Sequence, residues 1–185
     1  MADLFVALIH FPVIDRNDRV VTSAITSLDL HDIARSARTF GVRAVYVVHP
    51  VAQQRAFACR VLDHWRLGYG RLFDSRRREA LDLVDVVTDL DDAIRAAEAV
   101  ARLRPRLVYT SARAQGGTEY AQLRELLSEK EAPPLMLMLG TGFGLAPSMR
   151  GRADLVLAPI SGIDNYNHLS VRAAAAIMLD RLRGG

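Results

Sequence analysis

The sequence is poor in several features, and each shortage excludes a class of protein. Its single cysteine, Cys59, can form neither an internal disulfide nor a cysteine zinc cluster, and such scarcity is typical of intracellular proteins. No apolar run approaches the ~20 residues of a membrane span. The opening "MADLFVALIHFP" lacks the basic lead and cleavage site of a signal peptide. We therefore expect a cytoplasmic protein without a membrane segment.

Lysine is nearly absent as well. Lys130 is the only lysine among 24 basic residues, and the net charge is +3. Arginine offers planar, bidentate donors suited to phosphate, so a polyanionic partner is permitted, although so small an excess does not require one. With 50% hydrophobic and 24% charged residues the composition is that of a globular protein. Residues 1–185 are expected to form a single domain.

Short apolar runs alternate with amphipathic segments along the whole chain. The apolar runs predict six strands, at 4–10, 44–49, 83–87, 107–111, 135–139 and 155–160. The amphipathic segments predict five helices, at about 30–40, 52–67, 91–104, 119–131 and 170–183. This alternation predicts an α/β fold, a mainly parallel six-stranded sheet with helices on both faces. Segments 15–30 and 68–82 are the least regular. The basic run in the second is interpreted as a solvated loop or helix start, and a role in holding nucleic acid is the alternative.

Three strands in the second half are followed by polar loops that contain glycine. The loops read "TSARAQGG", "GTGFGLAP" and "PISGIDNYNHLS". In open parallel sheets, ligands bind beyond the carboxyl ends of the strands. Glycines such as Gly140, Gly142 and Gly162 allow backbone groups to approach a ligand. A turn would explain one such loop, but three in succession predict a ligand pocket.

Common ligand motifs fit these loops poorly. The "GTGFG" segment follows the fifth strand rather than the first, so it is a weak match to a dinucleotide fingerprint. The only lysine is not preceded by the glycine of a phosphate-binding P-loop. The five histidines have no metal-ligand spacing, and no metal site is predicted. An NAD-binding α/β oxidoreductase that uses the "GTGFG" loop remains an alternative.

The last polar loop carries the most informative pattern, "APISGIDNYNHLSVRAAAAIML". It resembles the final signature of the SPOUT superfamily, the trefoil-knotted RNA methyltransferases, and in particular their ribose 2′-O branch. Pro159, Gly162 and Ser170 match that signature in register, and His168 stands where the branch usually has asparagine.

Three further segments resemble signatures of the same family, in the same order along the chain. "LMLGTGFGLAP" is similar to the middle signature, with Gly142 near the position of its customary glutamate. "YTSAR" is similar to the Thr/Ser-Ala-Arg turn. "HDIARSARTFGVRAVYVVHP" is similar to the first signature, and Arg35 falls on its arginine.

This resemblance implies a C-terminal trefoil knot whose loops hold S-adenosylmethionine, with adenine against Leu139, Ile160 and Leu169. The cofactor-binding residues that it implies are Thr110, Ser111, Leu139, Gly140, Gly142, Ile160, Gly162, His168, Leu169 and Ser170. It implies methyl transfer to a ribose 2′-OH or a base nitrogen of tRNA or rRNA. It also implies a homodimer with the first and last helices at the interface. A knotted cofactor- or RNA-binding protein without catalysis is a further alternative, because the signature glutamate is missing.

The resemblance points to Arg35 and Asp164 as catalytic candidates. Arginine is a poor base, so Arg35 is expected to orient an RNA phosphate or stabilise a developing alkoxide. Asp164 would remove a ring proton if a base nitrogen accepts the methyl group. Alternatively, Asp164 and Asn165 form an Asx turn. His168 either donates to the cofactor or caps the last helix.

Overall fold

The computed structural model describes residues 1–164 and 166–184; Asn165 lies outside the described residues. The elements, in chain order, are β1 (Leu4–Ile9), β2 (Val13–Ile14), β3 (Val20–Val21), α1 (Ser27–Thr39), β4 (Ala44–Val48), α2 (Ala52–Arg66), α3 (Gly70–Phe73), α4 (Ser75–Leu81), β5 (Val84–Val87), α5 (Leu90–Ala101), β6 (Arg106–Tyr109), α6 (Tyr120–Ser128), β7 (Leu135–Gly140), α7 (Pro147–Arg150), β8 (Leu155–Val156) and α8 (Val171–Arg183). The five predicted helices correspond to α1, α2, α5, α6 and α8.

Six of the strands form one sheet in the order β5-β4-β1-β7-β6-β8. Every neighbouring pair in this sheet is parallel. β1 lies inside the sheet and pairs with β4 on one side and β7 on the other, and all six of its residues are buried. This explains its unbroken apolar sequence, because a strand covered on both faces has no polar side. The predicted parallel six-stranded sheet is confirmed.

Helices cover both faces of the sheet. Leu4, Val6 and Leu8 of β1 pack in one core cluster with buried residues of α1, α2, α4, α6 and α8. The alternate residues of β1, Phe5, Ala7 and Ile9, pack on the opposite face with α5 and α7. The two-residue period of the strand therefore divides its side chains between two apolar layers. The predicted placement of helices on both faces is confirmed.

Polar residues fix where the helices begin. The Ser170 hydroxyl accepts a hydrogen bond from the backbone N–H of Ala173 and caps α8. Asp89 caps α5 in the same way, and Asp91 and Asp92 lie in the first turn of that helix, where negative charge suits the helix dipole.

The structure differs from the sequence prediction in several places, one of which is the unpredicted short helix α7. Segment 68–82 is helical, forming α3 and α4, because the Asp74 carboxylate caps α4 by accepting from the Arg77 N–H at 3.0 Å. β8 ends at Val156 rather than at residue 160, since Pro159 has no N–H to continue a ladder. The short β2–β3 hairpin was not predicted, because two residues per strand show no periodicity. None of the described helices has the length and apolar character to cross a membrane.

Candidate cofactor site

A cavity of about 810 Å³ opens where β6, β7 and β8 lead into their loops. This is the size range of small-molecule sites. Its wall consists of segments 110–113, 139–144 and 167–171 together with Ile160, Ala174 and Met178. The three polar loops of the sequence therefore meet at one place, as the rule for parallel sheets predicts.

Nine of the ten residues proposed from the sequence line this cavity. They are Thr110, Ser111, Leu139, Gly140, Gly142, Ile160, His168, Leu169 and Ser170. The tenth, Gly162, is outside the described wall; a Cβ there would lie 3.1 Å from the Tyr166 carbonyl oxygen. The absence of a side chain at Gly162 therefore leaves room for the backbone of its own loop.

Gly140 is required by packing rather than by ligand access. A Cβ at this position would lie 2.6 Å from the backbone nitrogen of Leu145, so the "GTGFG" loop could not fold back over the end of β7. Gly142 and Gly144 have φ angles of +61° and +113°, in the region that favours glycine. The glycines of this loop thus shape a tight turn, and the backbone of that turn forms part of the cavity wall.

The hydroxyl groups of the wall are already engaged in holding the loops. The Thr110 hydroxyl donates to the Met138 carbonyl at 2.7 Å, and the Ser111 hydroxyl accepts from the Arg113 N–H at 3.1 Å. Asn167 donates from Nδ2 to the Ala112 carbonyl at 3.3 Å, which joins the first and third loops. These bonds fix the relative positions of the loops. The hydroxyls of Ser111 and Ser170 only accept in them, so their O–H donors remain for a ligand beside the apolar surface and backbone groups of the wall.

His168 does not cap the last helix, because Ser170 does so. Its exposed ring lies edge-on to Tyr166, with 6.4 Å between the ring centroids. Of the two roles considered for His168, contact with a ligand is the one that its place in the wall favours. The charged side chain in the described wall is Arg113, which pairs with Asp18 at 3.2 Å in an exposed ion pair.

The two catalytic candidates lie outside the described cavity wall. Arg35 is exposed on α1, in a groove between α1 and α8 that adjoins the cavity through Ser170. Asp164 is exposed, and its Oδ1 accepts from the Tyr166 N–H at 2.8 Å. That bond is the Asx turn considered as its alternative role.

Sequence reasoning missed a buried polar cluster next to the cavity. His10 follows β1 and His49 follows β4, and Ser23 binds both: its hydroxyl lies 2.9 Å from His10 Nδ1, and its carbonyl lies 2.9 Å from His49 Nε2. The Ser23 hydroxyl also bonds to the hydroxyl of Thr141, which lines the cavity. The signal in the sequence is a histidine directly after each of two apolar strands.

Burial keeps these two imidazoles neutral. Removal from water, with a smaller repulsion from His49, lowers the pKa of His10 to about 4. Burial also lowers the pKa of His49. Neutral His49 uses both ring nitrogens, since Nε2 donates to the Ser23 carbonyl and Nδ1 accepts from the Val51 N–H. His10 pairs with the Ser23 hydroxyl through Nδ1, and its buried Nε2 has no partner among the described residues. The wall residue Thr141 is therefore supported by an uncharged hydrogen-bonded network.

Comparison with known proteins decides the family. The model of a family described as SAM-dependent RNA methyltransferase matches residues 3–184. This chain belongs to that family. The SPOUT resemblance inferred from the motifs is confirmed, and S-adenosylmethionine is the cofactor of the family.

Curated relatives match almost the whole chain. A tRNA (guanine-N(1)-)-methyltransferase of Oleidesulfovibrio alaskensis is 41% identical over 182 residues, which cover 98% of this chain but 42% of that protein. An uncharacterised protein of Aquifex aeolicus is 38% identical over 97% of this chain and 88% of its own length. The chain thus spans less than half the length of the first relative, whose name describes a longer protein.

Solved structures share the fold. The SpoU methyltransferase AviRb of Streptomyces viridochromogenes, in complex with AdoMet, has a TM-score of 0.56 at 18% identity, over 98% of this chain and 57% of its own. A probable methyltransferase of Bordetella pertussis has a TM-score of 0.61 at 16% identity, over 98% of this chain and 93% of its own.

Proposed function

We propose that this chain transfers a methyl group from S-adenosylmethionine to the 2′-hydroxyl of a tRNA ribose. The cavity at the ends of β6, β7 and β8 is the observation that carries the proposal. Its volume suits the cofactor, and it combines apolar side chains such as Leu139, Ile160 and Met178 with the backbone of a glycine-rich turn. The name of the Oleidesulfovibrio relative supports tRNA as the RNA class. A tRNA substrate would place the reaction in the cytoplasm.

The cofactor supplies an activated methyl group, and the protein supplies alignment. Leu139, Ile160 and Leu169 would hold the adenine, while the turn at residues 140–144 would present backbone groups to the polar part of the cofactor. Alignment of the methyl group with the accepting oxygen contributes up to about 7–11 kcal/mol in reactions of this kind. Arg113, at the cavity wall, is placed to hold the anionic RNA backbone or a developing alkoxide.

The charge of the wall favours a hydroxyl acceptor. Within residues 1–164 and 166–184 the ionisable side chains of the wall are Arg113 and His168. Methylation of either acceptor releases a proton. For a ribose hydroxyl, Arg113 would stabilise the developing alkoxide and His168 is the wall side chain that could take the proton, whereas guanine N1 would give its ring proton to a carboxylate, which the described wall lacks. Guanine N1 is the second candidate acceptor, favoured by the relative's name, and it would require Asp164 to leave its Asx turn.

Nucleoside mass spectrometry of tRNA tests the acceptor. Purified protein, tritiated S-adenosylmethionine and tRNA from a strain lacking the gene should yield a 2′-O-methylated nucleoside. The Arg113→Gln variant should reduce this product, whereas Asp164→Asn should leave it unchanged. A labelled 1-methylguanosine that disappears in Asp164→Asn would reject the ribose proposal in favour of the base. No transfer by a protein that binds the cofactor would favour the non-catalytic alternative, and binding of NAD alone would favour the oxidoreductase.

We propose further that the protein acts as a homodimer in which Arg35 serves the cavity of the partner subunit. Arg35 lies outside the wall of its own cavity, in the groove lined by Ala173 and Ala176 of α8. Such small side chains allow close approach of a second helix. The threaded C-terminal segment that the family resemblance implies belongs to the same proposal, and a crystal structure with bound cofactor tests it.

Mixed dimers provide a direct test of Arg35. An Arg35→Ala subunit retains its cavity, and an Ala174→Trp subunit, with its cavity filled, retains its arginine. Each variant alone should be inactive. If the arginine acts across the interface, about half of the dimers in an equal mixture are mixed dimers, and each of these has one working site of two. The mixture should therefore show about a quarter of wild-type activity. An inactive mixture, with mixed dimers verified by mass spectrometry, would contradict the proposal.

A further inference from the structure

A strongly exposed group of side chains lies around α3, on the same sheet face as α8. Leu67, Tyr69, Leu72 and Phe73 are each at least 74% exposed. Three exposed arginines lie on α3 and on the two helices that contact it: Arg60 on α2, Arg71 on α3 and Arg76 on α4. We call these seven residues the α3 patch. Four large apolar side chains exposed within seven residues are unusual on a soluble surface and typical of an interaction site.

The geometry of α3 holds these side chains outward. Gly70 is the buried residue of this helix, and a Cβ there would lie 2.8 Å from the ring of Trp65. The same Trp65 ring carries the Arg77 guanidinium 4.7 Å above its centroid. Because the only inward position is a glycine seated on an indole, the remaining residues of the helix project into solvent. The patch is therefore presented by a fixed turn that α2 and α4 support.

The patch combines aromatic rings with uncompensated positive charge. Tyr69 and Phe73 are four residues apart, the spacing that places two side chains on one side of a helical turn. Within the described residues Arg60, Arg71 and Arg76 have no carboxylate at ion-pair distance, whereas Arg66, Arg77 and Arg78 pair with Asp82 or Asp74. Aromatic faces that stack bases, beside arginines that contact phosphates, are the usual means of binding single-stranded nucleic acid.

We propose that the α3 patch binds unpaired nucleotides of the RNA substrate, away from the cavity. The proposal rests on the RNA substrate of the proposed function, because an RNA is far larger than the cavity and needs further contacts. A symmetric contact between two copies of the patch fits the charges poorly, since a patch that faces itself would bring its own arginines together. RNA instead complements the charge of the patch and can stack on its rings.

Fluorescence anisotropy with a labelled, unstructured RNA oligonucleotide tests the stacking. The Tyr69→Ala/Phe73→Ala variant should bind this RNA at least about tenfold more weakly. Its affinity for a fully paired duplex of the same sequence should change much less, because paired bases offer no free face. Cofactor affinity by calorimetry should remain unchanged, since no residue of the patch lines the described cavity.

Salt dependence tests the arginines separately. Replacing Arg71 and Arg76 by glutamine should reduce the slope of log affinity against log salt by about 1.4. The matched control is Leu103→Ala/Arg104→Gln. This leucine and arginine are exposed in the loop that follows α5, and α5 packs on the opposite face of the sheet from α3. This control should leave both the affinity and the salt slope unchanged.

Other outcomes would overturn the proposal. RNA affinity equal to wild type in both patch variants would reject it, even if the wild type methylates tRNA. Unchanged RNA binding together with conversion of a dimer to monomer in sedimentation would assign the patch to a second copy. Unchanged RNA binding together with patch-dependent binding to phosphatidylglycerol vesicles would assign it to a lipid surface. Patch-dependent RNA binding by a protein that transfers no methyl group would support this inference and reject the proposed function.

Discussion

The carboxyl-terminal edge of the sheet has two halves that use polar residues in opposite ways. We call the ends of β1 and β4 the sealed half and the ends of β6 and β7 the open half. β1 and β4 end in His10 and His49, which are 0% and 1% exposed and are joined through Ser23. β6 and β7 end in polar loops that face an open cavity. Polar residues at strand ends are therefore insufficient to define a site. The distinguishing question is whether the chain itself covers these residues and uses their hydrogen bonds.

The covering segment makes the difference. Residues 11–26 fold over the ends of β1 and β4, held by the Ile25 N–H, which donates to Gln54 Oε1 at 2.8 Å, and by the Ile14 N–H, which donates to the Gly144 carbonyl at 3.0 Å. The second bond joins this cover to the "GTGFG" turn of the open half. The sealed half thus serves as the support on which one wall of the cavity is built.

Filling the cavity should have the largest effect. Ala174 is a half-buried residue of α8 that lines the cavity, so Ala174→Trp places an indole where the cofactor is proposed to bind. Calorimetry should show cofactor affinity reduced by at least about a thousandfold, or about 4 kcal/mol.

The neighbouring alanine provides the control. Ala173 lines the α1–α8 groove instead, so Ala173→Trp should retain cofactor affinity and weaken the proposed dimer in sedimentation. Equal affinity in wild type and Ala174→Trp would show that the cofactor binds elsewhere. Loss of affinity in Ala173→Trp alone would place it in the groove.

Acid should destabilise the sealed half by the next largest amount. The pKa of His10 is about 4 when folded and 6.5 when exposed, so below pH 6.5 the unfolded chain binds a proton that the folded chain does not. As the pH is lowered from 6.5 to about 4, the free energy of unfolding should decrease by up to about 3 kcal/mol. Above pH 6.5 the stabilisation that depends on uncharged His10 should be fully present.

Urea unfolding of wild type and His10→Gln measures this term. Glutamine does not titrate, so the variant should be less stable near pH 7 but should lose less stability on acidification. Identical pH profiles would show that His10 is protonated as readily in the folded state as in the unfolded state.

The link between the two halves should contribute less. Thr141→Val keeps the shape of the side chain but removes its hydrogen bond to Ser23, and should cost about 1–2 kcal/mol of unfolding free energy. Cofactor affinity should fall several-fold, because the turn that follows Thr141 loses an anchor. Thr22→Val, at the exposed position directly before Ser23, should change stability by less than about 0.5 kcal/mol.

More of the fold and of the open half could be predicted from the sequence than of the sealed half. Periodicity located the strands and long helices, because burial on a sheet or helix face leaves a regular spacing of apolar residues. Motif resemblance located the cavity residues. The Ser23–His10–His49 cluster was beyond reach, because it joins positions 13 and 26 residues apart through a segment without periodicity. The basic run that contains α3 permitted nucleic-acid binding from the sequence alone, but its exposed apolar side chains were not predicted, since a four-residue helix leaves no pattern and exposure is a tertiary property.

The ion pair between Asp18 of the covering segment and Arg113 at the cavity mouth should matter least for stability. Asp18 and Arg113 are 73% and 62% exposed, so water and salt screen their attraction. Asp18 has a φ of +58°, a conformation that asparagine tolerates, so the suitable double-mutant cycle uses Asp18→Asn and Arg113→Gln. The coupling energy in unfolding should be below about 0.5 kcal/mol. A coupling energy above about 1 kcal/mol would mean that this pair holds the covering segment over the mouth of the cavity, so that the open half is sealed as well.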